Sequence, residues 1–333
     1  MDVFVTLDYE LFLGSHAGTV DNCLLKPMEE LSMVARSVGF HYVIFVDAAY
    51  LLMLDKLRAN STFLNIDFEK IARNIKDLYK TGHDIQMHFH PQWLYSTWDE
   101  KSGQWNMDVN HYKLSDMEPE YAFSAFKEAK ILLDSIIGNS TDAFRAGGYC
   151  LSSFERYDKL FEDNGIRIDS SVARHQFVDT PMHSYDYRNV PTKHIYRFDS
   201  DVCREDGKGK FIELSISDCK WSPMDYYGRI RKKMSKYNPS VVYKDGDSVK
   251  DVIPTRLDRI KKLVLPYRNL ISLDGIRSFQ LNDAYQYAIK KKYDNLVIIG
   301  HPKLASDASL QTFMAFMGNV SQTHKIYTTR DIH

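Results

Sequence analysis

The sequence predicts an α/β protein organised around a parallel sheet, either a closed (β/α) barrel or a doubly wound sheet, and three observations lead there. Short apolar, β-branched segments alternate with stretches whose apolar residues recur every three or four positions, the pattern of strands joined by crossover helices. The strand-like segments are continuously apolar rather than alternating, so both faces of the sheet are covered. At 333 residues the chain is long enough for one such barrel.

Taken in order, strands are expected at 3–7, 42–46, 85–90, 143–147, 211–216 and 296–299, each closed by polar or small residues. Helical periodicity marks 68–79 and 119–137. The longest strongly apolar run, 43–54, has twelve residues and contains Asp47. It falls short of the roughly 20 residues needed to cross a bilayer, so it reads as core. Residues 172–251 are rich in Tyr, Asp and Lys, with turn signals at Asp206-Gly207 and Asp245-Gly246. They are expected to elaborate a single barrel domain spanning 1–333, since no repeat, low-complexity tract or Gly/Ser linker divides the chain.

Hydrophobic residues at 44% and charged residues at 26% exclude long disorder and fibrous classes. The 43 Lys+Arg and 44 Asp+Glu leave a net charge of -1, so no global basic field exists and no nucleic-acid partner is expected. The charge is uneven, however. Residues 229–268 hold twelve Lys/Arg against four Asp, a local +8 that leaves -9 for the rest. A solvated helix face is its ordinary explanation; a peripheral contact with phosphates or an anionic membrane is the functional one. The opening Met-Asp-Val-Phe-Val-Thr-Leu-Asp enters a strand without a basic and apolar leader, which predicts a cytoplasmic protein. Cys23, Cys150, Cys203 and Cys219 show no CxxC spacing and are expected to be reduced thiols.

In parallel α/β folds, side chains just past the carboxyl ends of the strands share one crevice. Here those ends read Thr6-Leu7-Asp8-Tyr9-Glu10, His88-Phe89-His90, Phe144-Arg145-Ala146-Gly147-Gly148-Tyr149, Asp169-Ser170-Ser171 and Gly300-His301-Pro302-Lys303. Residues two apart on a strand point the same way, so His88 and His90 can offer both imidazoles to one ion. Asp8 and Glu10 obey the same rule, one carboxylate completing the ligand set while the other serves as a base. Three protein ligands with an open position describe a catalytic zinc site.

These residues resemble the polysaccharide deacetylase family, also known as the NodB-homology family or carbohydrate esterase family 4. Thr6 to Glu10 is similar to its Thr-Phe-Asp-Asp-Gly motif, Gly82-His83-Asp84-Ile85-Gln86-Met87-His88 to its Gly-His-Glu-Ile-x-x-His stretch, and Phe144 to Tyr149 to its Arg-x-Pro-Tyr motif. Asp169-Ser170-Ser171 and Ile299-Gly300-His301 stand where its fourth and fifth motifs fall. Two positions depart from the pattern. Tyr9 replaces the usual metal-binding Asp, and Gln92 stands where the second histidine normally lies. The ligand roles then pass to Glu10 and His90 beside His88.

The resemblance implies a distorted (β/α) barrel of the NodB type and divalent-metal-dependent hydrolysis, most readily with Zn²⁺, of an N-acetyl group on an amino sugar. Asp8 would be the base, Arg145 would hold it ionised, and His301 would be the acid that protonates the leaving amine, oriented by Asp169. Gly148 and Tyr149 would place backbone N–H groups near the oxyanion. Trp93 and Tyr149 would be sugar-stacking walls, and Asp47 would hydrogen-bond a hydroxyl. A cytoplasmic enzyme of this kind would meet nucleotide- or lipid-linked intermediates of surface-polysaccharide synthesis, whose phosphates the basic stretch suits. The alternatives are a non-catalytic carbohydrate-binding barrel and a hydrolase of non-sugar amides, which metal content and a substrate panel separate.

Overall fold

The structure, a computed structural model, describes residues 1–235, 245–248 and 255–333. Parts of the expected 172–251 elaboration and of the basic 229–268 stretch, at 236–244 and 249–254, lie outside the described residues. The strands are β1 (Asp2–Tyr9), β2 (Val43–Asp47), β3 (Asp84–Phe89), β4 (Thr97–Asp99), β5 (Gln104–Asn106), β6 (Ala143–Ala146), β7 (Ile168–Asp169), β8 (Phe177–Asp179), β9 (Ser184–Asp186), β10 (Ile195–Phe198), β11 (Phe211–Leu214), β12 (Asp218–Trp221), β13 (Tyr267–Leu270), β14 (Asn295–Gly300) and β15 (Ile326–Tyr327). The helices are α1 (Lys26–Val38), α2 (Ala48–Leu57), α3 (Thr62–Lys80), α4 (Pro119–Ile137), α5 (Asp158–Asp163), α6 (Pro223–Lys233), α7 (Arg256–Val264), α8 (Leu281–Lys290) and α9 (Asp307–Val320).

The main sheet runs β10-β11-β7-β6-β3-β2-β1-β14, with β15 pairing with β1 as well. From β11 to β14 every pairing is parallel, and β10 is the antiparallel edge. The gap between β11 and β14 is bridged by irregular backbone: Ser217 N donates to Val297 O at 3.0 Å, and Leu273 N donates to Ile299 O at 3.0 Å. The result is a nearly closed eight-strand barrel. All six strands expected from the sequence are present, and the 68–79 and 119–137 periodicities become α3 and α4. The 43–54 run is β2 followed by the buried start of α2. Within 172–251, β10 and β11 join the barrel sheet while β8 and β9 form a separate hairpin.

Continuous apolarity is explained by two cores. Outward-facing residues such as Val5, Ile44, Met87 and Phe144 pack under the helices with Leu31, Ile75, Phe126 and Phe313. Phe4, Val43, Phe45, Ala143, Ile168, Ile212, Leu214 and Val297 fill the barrel interior together with Ile332. Further along the same strands the interior turns polar: Thr6, Asp8, His88 and Arg145 are all buried. Parallel register places Asp47 beside His88 and His88 beside Arg145, so the polar ends of successive strands meet in one row.

Candidate metal centre and active site

Alternation along β1 sends Asp8 and Glu10 to the interior and Tyr9 the other way, where its hydroxyl donates to Asn74 Oδ1 on α3 at 3.0 Å. That is why the inward-facing position next to Asp8 falls to Glu10. Glu10, His88 and His90 place one ligand atom each within 4.8 Å of one another. His88 Nε2 and His90 Nδ1 lie 3.1 and 3.2 Å from the same Glu10 oxygen, Oε2. Gln92 is fully buried without a hydrogen-bond partner for either side-chain atom among the described residues.

The donor chemistry fits a divalent cation. His88 Nδ1–H donates to the Arg145 carbonyl at 2.7 Å, which orients the ring and leaves Nε2 facing the cluster. Electrostatics point the same way. Burial alone would disfavour charge on His88, but Asp8, Glu10 and Asp47 push its pKa up to about 9. Burial alone would raise the Glu10 carboxyl, yet Lys303, His90 and His88 hold it well below the usual carboxylate range. Asp8, Glu10 and Asp47 are all buried and are met by the buried Arg145 and Lys303, and a divalent ion would supply further positive charge without a proton.

Arg145 holds Asp8. Its guanidinium is wholly buried and makes four hydrogen bonds: to Asp8 Oδ1 at 2.5 Å, Thr6 Oγ1 at 3.0 Å, and Ser170 O and Oγ at 2.8 Å each. It also lies 4.2 Å over the Phe45 ring. Asp8 Oδ2 is left facing His301 Nε2 at 3.6 Å. His301 is the most open of these groups, its side chain 16% exposed.

Several expectations are corrected. Asp169 does not orient His301; it accepts from Ser171 N and Oγ at 3.1 and 2.6 Å and lies beside Glu213, a buried pair whose carboxyls burial raises. The partner of His301 is Asp274, which accepts from His301 Nδ1 at 2.9 Å and from its backbone N–H at 2.8 Å. Burial would lower the imidazolium's pKa, but Asp274, helped by Asp8 and Glu10, raises it. Trp93 is no stacking wall: it is fully buried beside Tyr50 and Trp105. Asp47 is not free for a substrate hydroxyl either, since it accepts from Trp93 Nε1 at 2.8 Å and from the His90 backbone N–H at 3.2 Å. It positions His90 instead.

Gly148 and Tyr149 follow β6 with φ of 56° and 64°. The left-handed region is strained for a tyrosine. Burial and the Asp8 charge raise the Tyr149 hydroxyl well above its ordinary value, so it stays neutral. Gly147 is required for another reason: a Cβ there would sit 2.6 Å from His90 Cδ2 and 2.7 Å from Phe89 O.

Two residues escaped the sequence reading. Asp274 ends the apolar run 270–273, the same strand-end signal that marked the others. Lys303 is 7% exposed and donates to Glu10 Oε1 and Leu11 O at 2.7 Å each. It stands in the 300–303 stretch already noted for His301.

Barrel and mouth together have the NodB-type deacetylase fold, and solved structures agree. A candidate polysaccharide deacetylase from Mycobacterium smegmatis superposes with a TM-score of 0.53 at 14% identity, covering 98% of this chain and 85% of that one. Puue allantoinase superposes with a TM-score of 0.51 at 11% identity, covering 99% of this chain and 87% of that one. At these identities the likeness concerns the fold. No protein-family pattern matches the chain, and no curated protein matches it in sequence.

Proposed function

We propose that the protein is a metal-dependent hydrolase that removes an N-acetyl group from a nucleotide- or lipid-linked amino-sugar intermediate of surface-polysaccharide synthesis, with Zn²⁺ as the ion. The observation that carries this reading is the convergence, from five separated stretches of chain, of Glu10, His88 and His90 beside an Arg145-held Asp8 and an Asp274-held His301. Held by Glu10, His88 and His90, a divalent ion supplies Lewis acidity, easing deprotonation of water and polarising an acyl oxygen.

The chain's own residues carry the protons. Asp8 accepts one through Oδ2, the oxygen that Arg145 leaves open, as a water oxygen bonds to the acyl carbon. Tyr149 and the Gly148 turn stand where donors to the developing oxyanion are needed. The C–N bond then breaks and the electron pair leaves with nitrogen, which takes its proton from His301. Acetate and a free amine result. Asp274 keeps His301 charged and aimed for that donation.

The buried position of Trp93 favours keeping a second reading, a hydrolase of non-sugar amides with the same machinery, because the expected sugar platform is not there. A substrate panel of N-acetylglucosamine oligomers, nucleotide-linked N-acetyl sugars and small linear amides decides between them. Acetate release should vanish on chelation, return with Zn²⁺, and fall about 10³-fold or more in Asp8→Asn. Activity surviving both treatments would overturn the mechanism. Metal content unchanged by His88→Ala would favour a non-catalytic binding barrel.

A further inference from the structure

The helices α6 and α7 are turned inside out. α6 leans on the protein through polar groups: Arg229 donates to the Tyr267 hydroxyl at 3.1 Å, and Lys232 Nζ lies 4.1 Å from the centre of the Phe279 ring. What it leaves in water is apolar. Met224, Tyr227, Ile230 and Met234 are exposed, the two methionines at 74% and 83%, and their spacing of three, three and four puts them on one stripe. α7 repeats the pattern with exposed Leu257, Ile260 and Val264, followed by Leu265. Neither helix has a buried residue. Of the sixteen large apolar side chains exposed among the described residues, six lie in this pair and two more, Met234 and Leu265, directly follow its helices.

The two helices together carry eight Lys/Arg and two Asp. Both aspartates are spent on helix N-caps: Asp225 accepts from Ser222 N and Oγ, and Asp258 from Thr255 N and Oγ. The remaining surface is therefore cationic with an apolar stripe. Contiguous exposed apolar surface marks a binding face, and charge selects the occupant. An apolar groove on another protein would be satisfied by the stripe alone, whereas the five exposed cations of the pair, Arg231, Lys233, Arg256, Arg259 and Lys261, call for a plane of negative charge, and short helices of this composition lie in the interface of anionic bilayers.

We propose that α6 and α7 form a docking surface for an anionic lipid bilayer. Two links run from this part of the chain to segments that carry site residues. Between the helices, Asp247 O accepts from Gly14 N and Asp247 N donates to His16 O, at 2.8 Å each, and the Asp245 carboxylate accepts from Thr19 and Asn22. Those partners follow Glu10 directly in the chain. Phe279, beneath Lys232, comes five residues after Asp274. On the hydrolase reading, docking would present a lipid-linked substrate to the mouth; docking itself stands independently of that reading.

The test is sedimentation of the full-length protein with vesicles of phosphatidylcholine alone or mixed with phosphatidylglycerol. Binding is expected only to the mixed vesicles and should fall at high salt. Met224→Ser with Leu257→Ser, and separately Arg231→Glu with Lys261→Glu, should each weaken partitioning about tenfold or more, while circular dichroism and melting stay unchanged. If the serine pair fails to fold, the charge-reversal pair decides. Equal binding to neutral vesicles, no binding at low salt, or unchanged binding by folded variants overturns the proposal. So does a dimer in sedimentation velocity that the serine pair abolishes, since a second copy would then be the occupant.

Discussion

Replacing Asp274 by Asn isolates a pairing, Asp274 with His301, that only the tertiary structure revealed. Asp274 meets His301 twice, at Nδ1 and at the backbone N–H, at 2.9 and 2.8 Å. A unit charge pair at that distance is worth about 6 kcal/mol at an effective dielectric near 20, before the cost of burying both charges. Burial opposes the imidazolium while Asp274 favours it, so the His301 pKa is expected to fall when the charge is removed. The amide also offers an N–H₂ where an acceptor is needed, which costs about 1–3 kcal/mol of stability. The sign follows from the role. An acid works only while protonated, so the alkaline limb of kcat/KM should move to lower pH in Asp274→Asn, with turnover down about 10²-fold or more and KM little changed. Metal content should not change, because Asp274 touches none of Glu10, His88 or His90. Imidazole NMR of the zinc-loaded protein reads the same pKa without any substrate. A His301 titration that does not move, with turnover within about threefold of the parent, would refute the reasoning.

Other outcomes follow from the same structure. The Tyr42 backbone N–H donates to His83 Nδ1 at 3.1 Å, and burial, with His41 and Arg330, lowers this imidazole from 6.5 to about 4. A depressed histidine stabilises the fold fully above pH 6.5, and that stability is lost as pH falls toward 4, up to about 3 kcal/mol; urea titrations at several pH values should show a slope that His83→Asn flattens. Arg145→Met strips four hydrogen bonds and strands Asp8 in the interior, so denaturant midpoints should report a loss of about 3–5 kcal/mol. Gly147→Ala should keep the fold but displace His90, and zinc affinity by competition should drop about tenfold or more; unchanged affinity would show that the close approach is not needed.

Much of the site was legible because a strand end is a local feature. Asp8 and Glu10, or His88 and His90, share a side through the two-residue repeat of extended backbone, and Tyr9 goes to Asn74 for the same reason. What failed were pairings between stretches. Asp169 and Asp274 are both acidic residues after short apolar runs, and nothing local says which of them faces His301; the barrel's curvature puts Asp169 against Ser171 and Glu213 and brings Asp274 across the bridge between Ser272 and Ile299. Trp93 was misjudged because aromaticity carries no direction, and the indole turned inward to Asp47. The basic stretch was visible as composition. Its apolar stripe emerged only when the fold showed which side of α6 touches the protein.

The amino-acid sequence alone determined the α/β class with its parallel sheet, the segments that form its main strands and the polar residues that end them, since these depend on patterns of polarity a few residues long. Tertiary structure alone decided that Asp274 serves His301, that Lys303 reaches Glu10, that Asp47 braces His90, and that α6 and α7 face outward with their apolar sides. Such contacts join residues tens to hundreds of positions apart, as with Lys303 and Glu10, 293 positions apart in the chain. They are set by strand register and barrel closure, which arise from the packing of the whole chain.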